Sequence, residues 1–483
     1  MALGEVLLAK NFLDKVQLEV ALERQKLAGG LLGDNLVALG FITREKLEAF
    51  FQEPPPTPTS IRDTGLDPHL LANSVLKTIH VSGPQTVHEV SQQVKLPRGI
   101  VEELLLAAKK DGFVDVRGVA DLNFGILKYS LTNLGRERVV EALNQSRYVG
   151  PVPVPLADYQ GQLLKQTITN ERIHDEDLSQ ILSHLILPKE ILRRLGPAIN
   201  SGQAILLYGP SGNGKTSIAE AIGYTFRRAI YIPHCIEVDG QIIKIFDPAV
   251  HKEIPSRPHS GDDSGDPIYL KPLEFDPRWV RCRRPVIISG GELTLDMLDL
   301  KFNSYSNFYE APLQVKATGG VFVVDDFGRQ LVRPRDLLNR WIIPLEKKVD
   351  YLTLHTGKKF DLPFDELVIF STNIAPEELM DAAFLRRIHY KIRIDPPTSD
   401  DYKAMFERLC NLYKLKLPND VLSYLLNDFY PKNRTSLAAF HPKFIIQHTI
   451  ATCNYQGITP RLTQDLVRDA LQNLAISEGP SSY

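Results

Sequence analysis

Nine consecutive residues, Gly209-Pro210-Ser211-Gly212-Asn213-Gly214-Lys215-Thr216-Ser217, have the types and spacing that hold a polyphosphate. Glycines allow a tight curl in which successive backbone N–H groups point inward at an anion. The apolar run Ala204–Tyr208 precedes the loop, and Ser217–Arg227 reads as a helix whose positive end faces the same anion. This is the G-x-x-x-x-G-K-[ST] phosphate loop in its strand–loop–helix setting. In that setting Lys215 reaches the β- and γ-phosphates of ATP, and the Thr216 hydroxyl ligates Mg²⁺.

Three further stretches carry chemistry. Residues 319–328 run Gly-Gly-Val-Phe-Val-Val-Asp-Asp-Phe-Gly, an apolar strand delivering Asp325 and Asp326 to the mouth of a sheet. Leu367–Asn373 is a second apolar strand, with an amide at its end able to bond a γ-phosphate and an attacking water. Asp381-Ala382-Ala383-Phe384-Leu385-Arg386-Arg387-Ile388 places two arginines on a following helix.

In this order the four signals resemble AAA+ ATPases over roughly residues 177–475. The resemblance implies a doubly wound parallel α/β sheet with a C-terminal helical lid. Asp325 then holds Mg²⁺ through water, and Asp326 stands where the family has a water-polarising Glu. Asn373 takes the sensor 1 position. Arg386 or Arg387 is the finger supplied to the neighbouring subunit, so the implied assembly is a homo-oligomeric ring, a hexamer. Leu185, Ile186 and Leu187 are the adenine-facing candidates. Four helical patterns follow Pro397, and Lys443 at the start of the third is the sensor 2 candidate.

These parts need a chain able to position them. At 483 residues, with about 150 per domain, three or so units are expected. A composition of 43% hydrophobic and 24% charged residues is that of a soluble globular protein. A net charge of −2 excludes a global pull towards nucleic acid or anionic membrane. Four scattered cysteines offer neither a disulfide framework nor a zinc site, and point to a reducing cytoplasm. No apolar run is long enough to span a bilayer, and the charged N-terminus is not a signal peptide.

Residues 1–53 contain a repeat. Leu3-Gly4-Glu5, Leu7, Phe12 and Leu18 recur as Leu32-Gly33-Asp34, Leu36, Phe41 and Leu47. Each copy reads as two short amphipathic helices. The pattern is similar to the MshEN-type module of type II secretion and type IV pilus ATPases, some of which bind cyclic di-GMP. The motif's arginines are replaced by Ala2 and Leu31, and Asn11 replaces a glycine. Arginine forks onto phosphate or stacks on guanine, so protein docking is the expectation here rather than cyclic di-GMP binding. Residues 54–65 read as a Pro-rich extended linker.

Residues 66–147 give helices at 70–80, 86–94 and 97–110, strands at 113–116 and 126–131, and a last helix. This resembles a winged helix-turn-helix. The 97–110 helix carries Glu102 and Glu103 where a DNA reader presents basic or amide side chains. A protein-contacting role is therefore favoured, with an ATP-gated transcriptional regulator binding DNA through this unit as the alternative. Residues 148–176 read as a connector, 177–395 as the ATPase core and 396–476 as the lid. A long stretch at 233–318 includes a loop at 256–267 and an aromatic segment, 303–309, suited to a pore loop or a packed hairpin. The function expected is ATP hydrolysis used to remodel a protein partner chosen by the N-terminal units.

Overall fold

Short runs of β-branched and aromatic residues, apolar at every position, are the pattern of strands covered on both faces. In the computed structural model, which describes residues 3–121, 126–255 and 274–477, five strands pair in parallel, the three central ones following this pattern and the two edge strands only partly buried. They are β1 (Ile205–Tyr208), β2 (Val286–Ser289), β3 (Val321–Val324), β4 (Leu367–Thr372) and β5 (Tyr390–Arg393), in the spatial order β2-β3-β4-β1-β5. Neighbours in register include Val324 with Phe370, Thr372 with Tyr208, and Tyr208 with Arg393. Because all five run the same way, the residues following β1, β3 and β4 emerge at one edge of the sheet.

Alternation divides the core into two layers. Ile205, Leu207, Val321, Val323, Leu367 and Ile369 face helices Lys189–Ser201 and Lys215–Gly223. Leu206, Phe322, Val324, Val368 and Phe370 face helix Pro334–Lys347, whose Trp341 is fully buried with edge-on contacts to Phe322, Phe364 and Phe370. Each such aliphatic side chain taken wholly from water stabilises the fold by roughly 1.5–3 kcal/mol. The phosphate-loop helix begins at Lys215, two residues before the expected start, and ends at Gly223 rather than Arg227.

The 233–318 stretch is not simply an excursion, since it contains β2. It also supplies most of a second five-stranded sheet, in which Lys301–Asn303, Phe308–Glu310, Gln241–Lys244 and Cys235–Val238 are joined by Val154–Pro155. The expected connector thus becomes an edge strand, followed by helix Leu156–Lys165. The aromatic segment forms a hairpin, with Tyr309 buried and Asn307 bonded to the Asn144 carbonyl at 2.9 Å; Tyr305 alone of its tyrosines is largely exposed. The loop expected at 256–267 lies outside the described residues, as does Ala2.

Helices Leu3–Ala9, Lys15–Ala28, Leu32–Ala38 and Arg44–Phe51 make the N-terminal unit. Its repeat has a packing cause: a Cβ on Gly4 would lie 2.6 Å from Leu18, and one on Gly33 would lie 2.9 Å from Leu47. Asn11 and Gly40, at equivalent positions, share left-handed backbone with φ of +57° and +72°, which Asn tolerates. The proline-rich segment is a strap: Pro55 and Pro58 are buried, and the Pro55 carbonyl accepts from Asp276 N at 3.0 Å. Helices Pro68–Ser82, Val87–Val94 and Arg98–Lys110 pack on a three-stranded sheet of Gln85–Thr86, Val114–Asp121 and Ile126–Leu131. After Pro397 come helices Ser399–Leu412, Asn419–Ser423, His441–Tyr455 and Gln464–Ser477, with a π-helical stretch at Tyr424–Phe429. All four cysteines are buried and free, and among the described residues no helix is long and apolar enough to cross a membrane.

At the opposite end of the sheet two acids, half-buried Asp365 and fully buried Glu366, precede β4. The Asp365 carboxylate accepts the Thr167 hydroxyl and the Ile168 amide, while burial pushes its pKa up to about 6. Burial also raises Glu366, whose carboxylate oxygens have no hydrogen-bond partner among the described residues. An unfolded aspartate titrates near ~3.9, so the folded chain holds an extra proton between there and about 6. The stability contributed is full below ~4 and lost as pH rises through about 6. Urea unfolding of Asp365→Asn at pH 4 and pH 7 should show a pH dependence smaller than that of the parent, by on the order of 2–3 kcal/mol.

Candidate nucleotide site

β1 ends at Tyr208, and the chain turns through Gly209 with φ of +133°. A Cβ there would lie 2.4 Å from the Ile394 carbonyl oxygen, so only glycine lets the loop leave so close to the end of β5. Gly214, at φ +81°, caps the helix that Lys215 begins. Lys215, a residue only 8% exposed, donates its ammonium to the carbonyls of Gly209 and Pro210, both at 2.9 Å. Burial pushes it below the ordinary lysine range, against the attraction of Asp326 and then Asp325. Both acids therefore act electrostatically on the amine of the phosphate loop.

Thr216 makes the direct link: its hydroxyl lies 3.0 Å from each carboxylate oxygen of Asp325. Asp325 is held from both sides, its amide donating to the Ser289 carbonyl at 2.9 Å and its carbonyl accepting from Gln330 Nε2 at 2.7 Å. Asp326 is exposed, in left-handed backbone at φ +48°. The ends of β3 and β4 are cross-tied by Phe327 N to the Ser371 carbonyl and by the Thr372 hydroxyl to the Phe327 carbonyl, each 2.7 Å. Asn373, half-buried, follows Thr372 directly, beside the start of the loop.

The remaining expected residues fall elsewhere. Arg386 and Arg387 end a short helix, Ala382–Arg387. Arg387 bonds Glu346 and lies over the Phe384 ring, whereas Arg386 is exposed and makes no ion pair among the described residues. Lys443 is exposed in the first turn of helix His441–Tyr455. What the lid lays on the loop is Ala439 and Phe440: Ala439 N donates to Asn213 Oδ1 at 3.2 Å, and Phe440 N donates to the Gly212 carbonyl at 3.0 Å. A Cβ on Gly212 (φ +78°) would sit 2.3 Å from the Phe440 ring. Pro210, Ser211 and Ser217 are exposed around the loop.

Beside it lies a cavity of about 460 Å³ lined by Ile186, Leu187, Pro188, Tyr208, Asn213, Pro396 and Ala439. Leu185, the third of the expected apolar residues, packs into the core instead. Ser289, Gln330 and the Ala439–Phe440 pair were not legible as site residues, because three of these four act through backbone atoms. Glu292 is a further acid after β2, its carboxylate held below the ordinary range by the Gly290 amide and the Ser289 hydroxyl.

Residues 398–473, the lid, match a family described as a domain of unknown function (DUF8689). No match was found among curated proteins. Among solved structures the chain is similar to NtrX from Brucella abortus in complex with ADP, at 14% identity and a TM-score of 0.36, over 60% of this chain and 56% of NtrX. It is also similar to the Thermotoga maritima RuvB Holliday junction branch migration motor, at 14% identity and 0.31, over 66% and 72%. Domain III of the T. maritima replication initiation protein DnaA gives 10% identity and 0.33, over 61% and 96%. The chain thus spans little more than half of the NtrX chain it resembles, and likenesses this remote carry no argument about activity.

A methyl group on Gly212 meets both the Phe440 ring and an unfavourable φ. Gly212→Ala should weaken binding of a fluorescent ATP analogue roughly tenfold, about 1.4 kcal/mol, with a much smaller shift in thermal unfolding.

Proposed function

We propose that the chain is an AAA+ ATPase that hydrolyses ATP between subunits of a ring and uses the cycle to remodel a protein partner. The observation that carries this reading is the Thr216–Asp325 contact, 3.0 Å to both carboxylate oxygens. It joins the helix start of a phosphate loop to the acid end of a buried strand two positions away in the sheet order. A hydroxyl and a carboxylate are hard oxygen donors, the kind Mg²⁺ takes in ones and twos alongside phosphate oxygens and water. Thr216 and Asp325 would hold that ion, which when bound neutralises charge on the β- and γ-phosphates.

Lys215 would exchange its two loop carbonyls for phosphate oxygens. Asp326, close enough to act on Lys215, would orient and polarise the attacking water, with Asn373 bonding the same water or the γ-phosphate. The Ile186–Pro188 wall and the Tyr208 ring suit a nucleobase. Arg386 is the better finger of the pair, since Arg387 is engaged with Glu346 in its own chain. Ala439 and Phe440 would report nucleotide state to the lid through backbone bonds, and Lys443 in the following turn would be the sensor 2 side chain.

The N-terminal units would choose the client. Helix Arg98–Lys110 exposes Glu102, Glu103 and Leu106 along its middle and the basic Arg98, Lys109 and Lys110 only at its ends, a distribution that suits protein better than a DNA backbone. Its arrangement with the three-stranded sheet supports a winged-helix reading, and the Gly4 and Gly33 contacts support the MshEN-like one.

Lys215→Ala should reduce steady-state ATP turnover at least 100-fold, and retained turnover would end the enzyme reading. Arg386→Ala should cost roughly 10³-fold in kcat with nucleotide binding intact. Mixing Arg386→Ala with Asp326→Asn subunits should restore part of the activity, whereas no recovery would place the arginine outside the shared site.

A further inference from the structure

Between the N-terminal unit and the core is a second, separate cavity of about 300 Å³. Its wall includes Lys165, Arg227, Arg228, Arg281 and Arg284, and no aspartate or glutamate. Phe51 from the N-terminal unit and Tyr231 from the core add aromatic surface. Carboxylates outside the lining (Glu53, Glu171, Glu48 and Asp177) offset part of this charge, but the cavity itself is faced by cations alone and so favours an anion.

The wall is held rigidly. Buried Glu171 accepts from the backbone amides of Arg227 and Arg228 at 2.6 and 3.0 Å, and from Arg284 Nε at 3.1 Å. Arg284 also donates to the carbonyls of Gln166 and Gly319, so its role is structural. Gln166 and the backbone of Tyr231 exchange two hydrogen bonds, both 2.9 Å. Lys165 pairs with Glu53 at 2.9 Å, and Arg228 with Glu48 only at 3.9 Å. Arg227 pairs with Asp177 at 3.4 Å with its side chain 58% exposed. Arg281 has no ion pair among the described residues. Arg227 also donates Nη2 to Gln180 Oε1 at 3.2 Å, and Arg228 donates Nη1 to the Asn170 carbonyl at 3.3 Å. Each guanidinium has five N–H donors, so both keep others for a ligand, as does Arg281.

We propose that this cavity binds a small phosphorylated anion, held by the guanidinium forks of Arg227, Arg228 and Arg281. Guanidinium matches a phosphate bidentately, and the volume is at the small end for ligand sites. The occupant would touch both Phe51 of the N-terminal unit and the segment that leaves the phosphate-loop helix. It would thereby tie the client-choosing part of the chain to the core.

The test is calorimetric titration of the full chain carrying Lys215→Ala, with inorganic pyrophosphate in one arm and 5′-AMP in the other. One saturable site per chain is expected for at least one probe. Adding Arg281→Ala should weaken it at least tenfold, and Arg228→Ala/Arg281→Ala further, while Lys301→Ala on the 301–310 hairpin leaves it unchanged. Tighter AMP binding would identify a phosphorylated nucleoside, and tighter pyrophosphate binding the phosphate groups alone. Repeating the titration with Lys215 intact separates this site from the phosphate loop. No saturable binding of either probe at 10 mM, or binding indifferent to Arg281→Ala in a chain with unchanged thermal unfolding, overturns the proposal.

Discussion

The contact between Thr216 and Asp325 depends on where two strands stop. Asp325 follows β3 and Thr216 begins the helix after β1, with β4 lying between them in the sheet. For hydroxyl and carboxylate to meet across β4, both chains must leave the sheet at one level. The register sets that level: Val324 lies beside Phe370, and Thr372 beside Tyr208. The ties from Phe327 to Ser371 and Thr372 keep the ends of β3 and β4 from fraying. A slip of one residue in a parallel strand would turn Asp325 to the opposite face, and its contact with Thr216 would be lost.

The same edge explains why the lid matters. A phosphate loop is mostly backbone, and its curl leaves little side-chain surface to hold it. Here the lid supplies the hold, through Phe440 over Gly212 and the Ala439 amide on Asn213. Closing and opening of the lid would therefore act directly on loop geometry. The cavity lined by Ile186, Tyr208 and Pro396 is walled by core and lid together, so a base lodged there would feel both.

What could be read from the residues was the chemistry with a fixed spelling. Gly209–Ser217, Asp325 and Asn373 are recognisable because loop curvature, burial and polar strand ends restrict residue type. β2 was not recognised: Val286–Ser289 is four residues long, and a short apolar run after a long excursion has no distinguishing period. The prolines of 148–176 suggested a connector, yet Val154–Pro155 pairs with Ile236–Glu237, a partnership set by residues some eighty positions away. The proline-rich strap reads as a free linker for the same reason, since its buried contacts are with distant Asp276 and Arg278. Lys443 is legible because a charged side chain stands out at a helix start, whereas Ala439 and Phe440, which touch the loop through amides and an aromatic ring, carry no such signal.

The central claim is that these residues form one nucleotide site shared by loop, sheet edge and lid. A structure determined with a non-hydrolysable ATP analogue and Mg²⁺ tests it most directly. The account predicts Lys215 on the β- and γ-phosphates, the ion beside Thr216 and Asp325, and the base against Ile186–Pro188 beneath Ala439. A nucleotide bound elsewhere, or a bound nucleotide with Lys215 still on the Gly209 and Pro210 carbonyls, would contradict it.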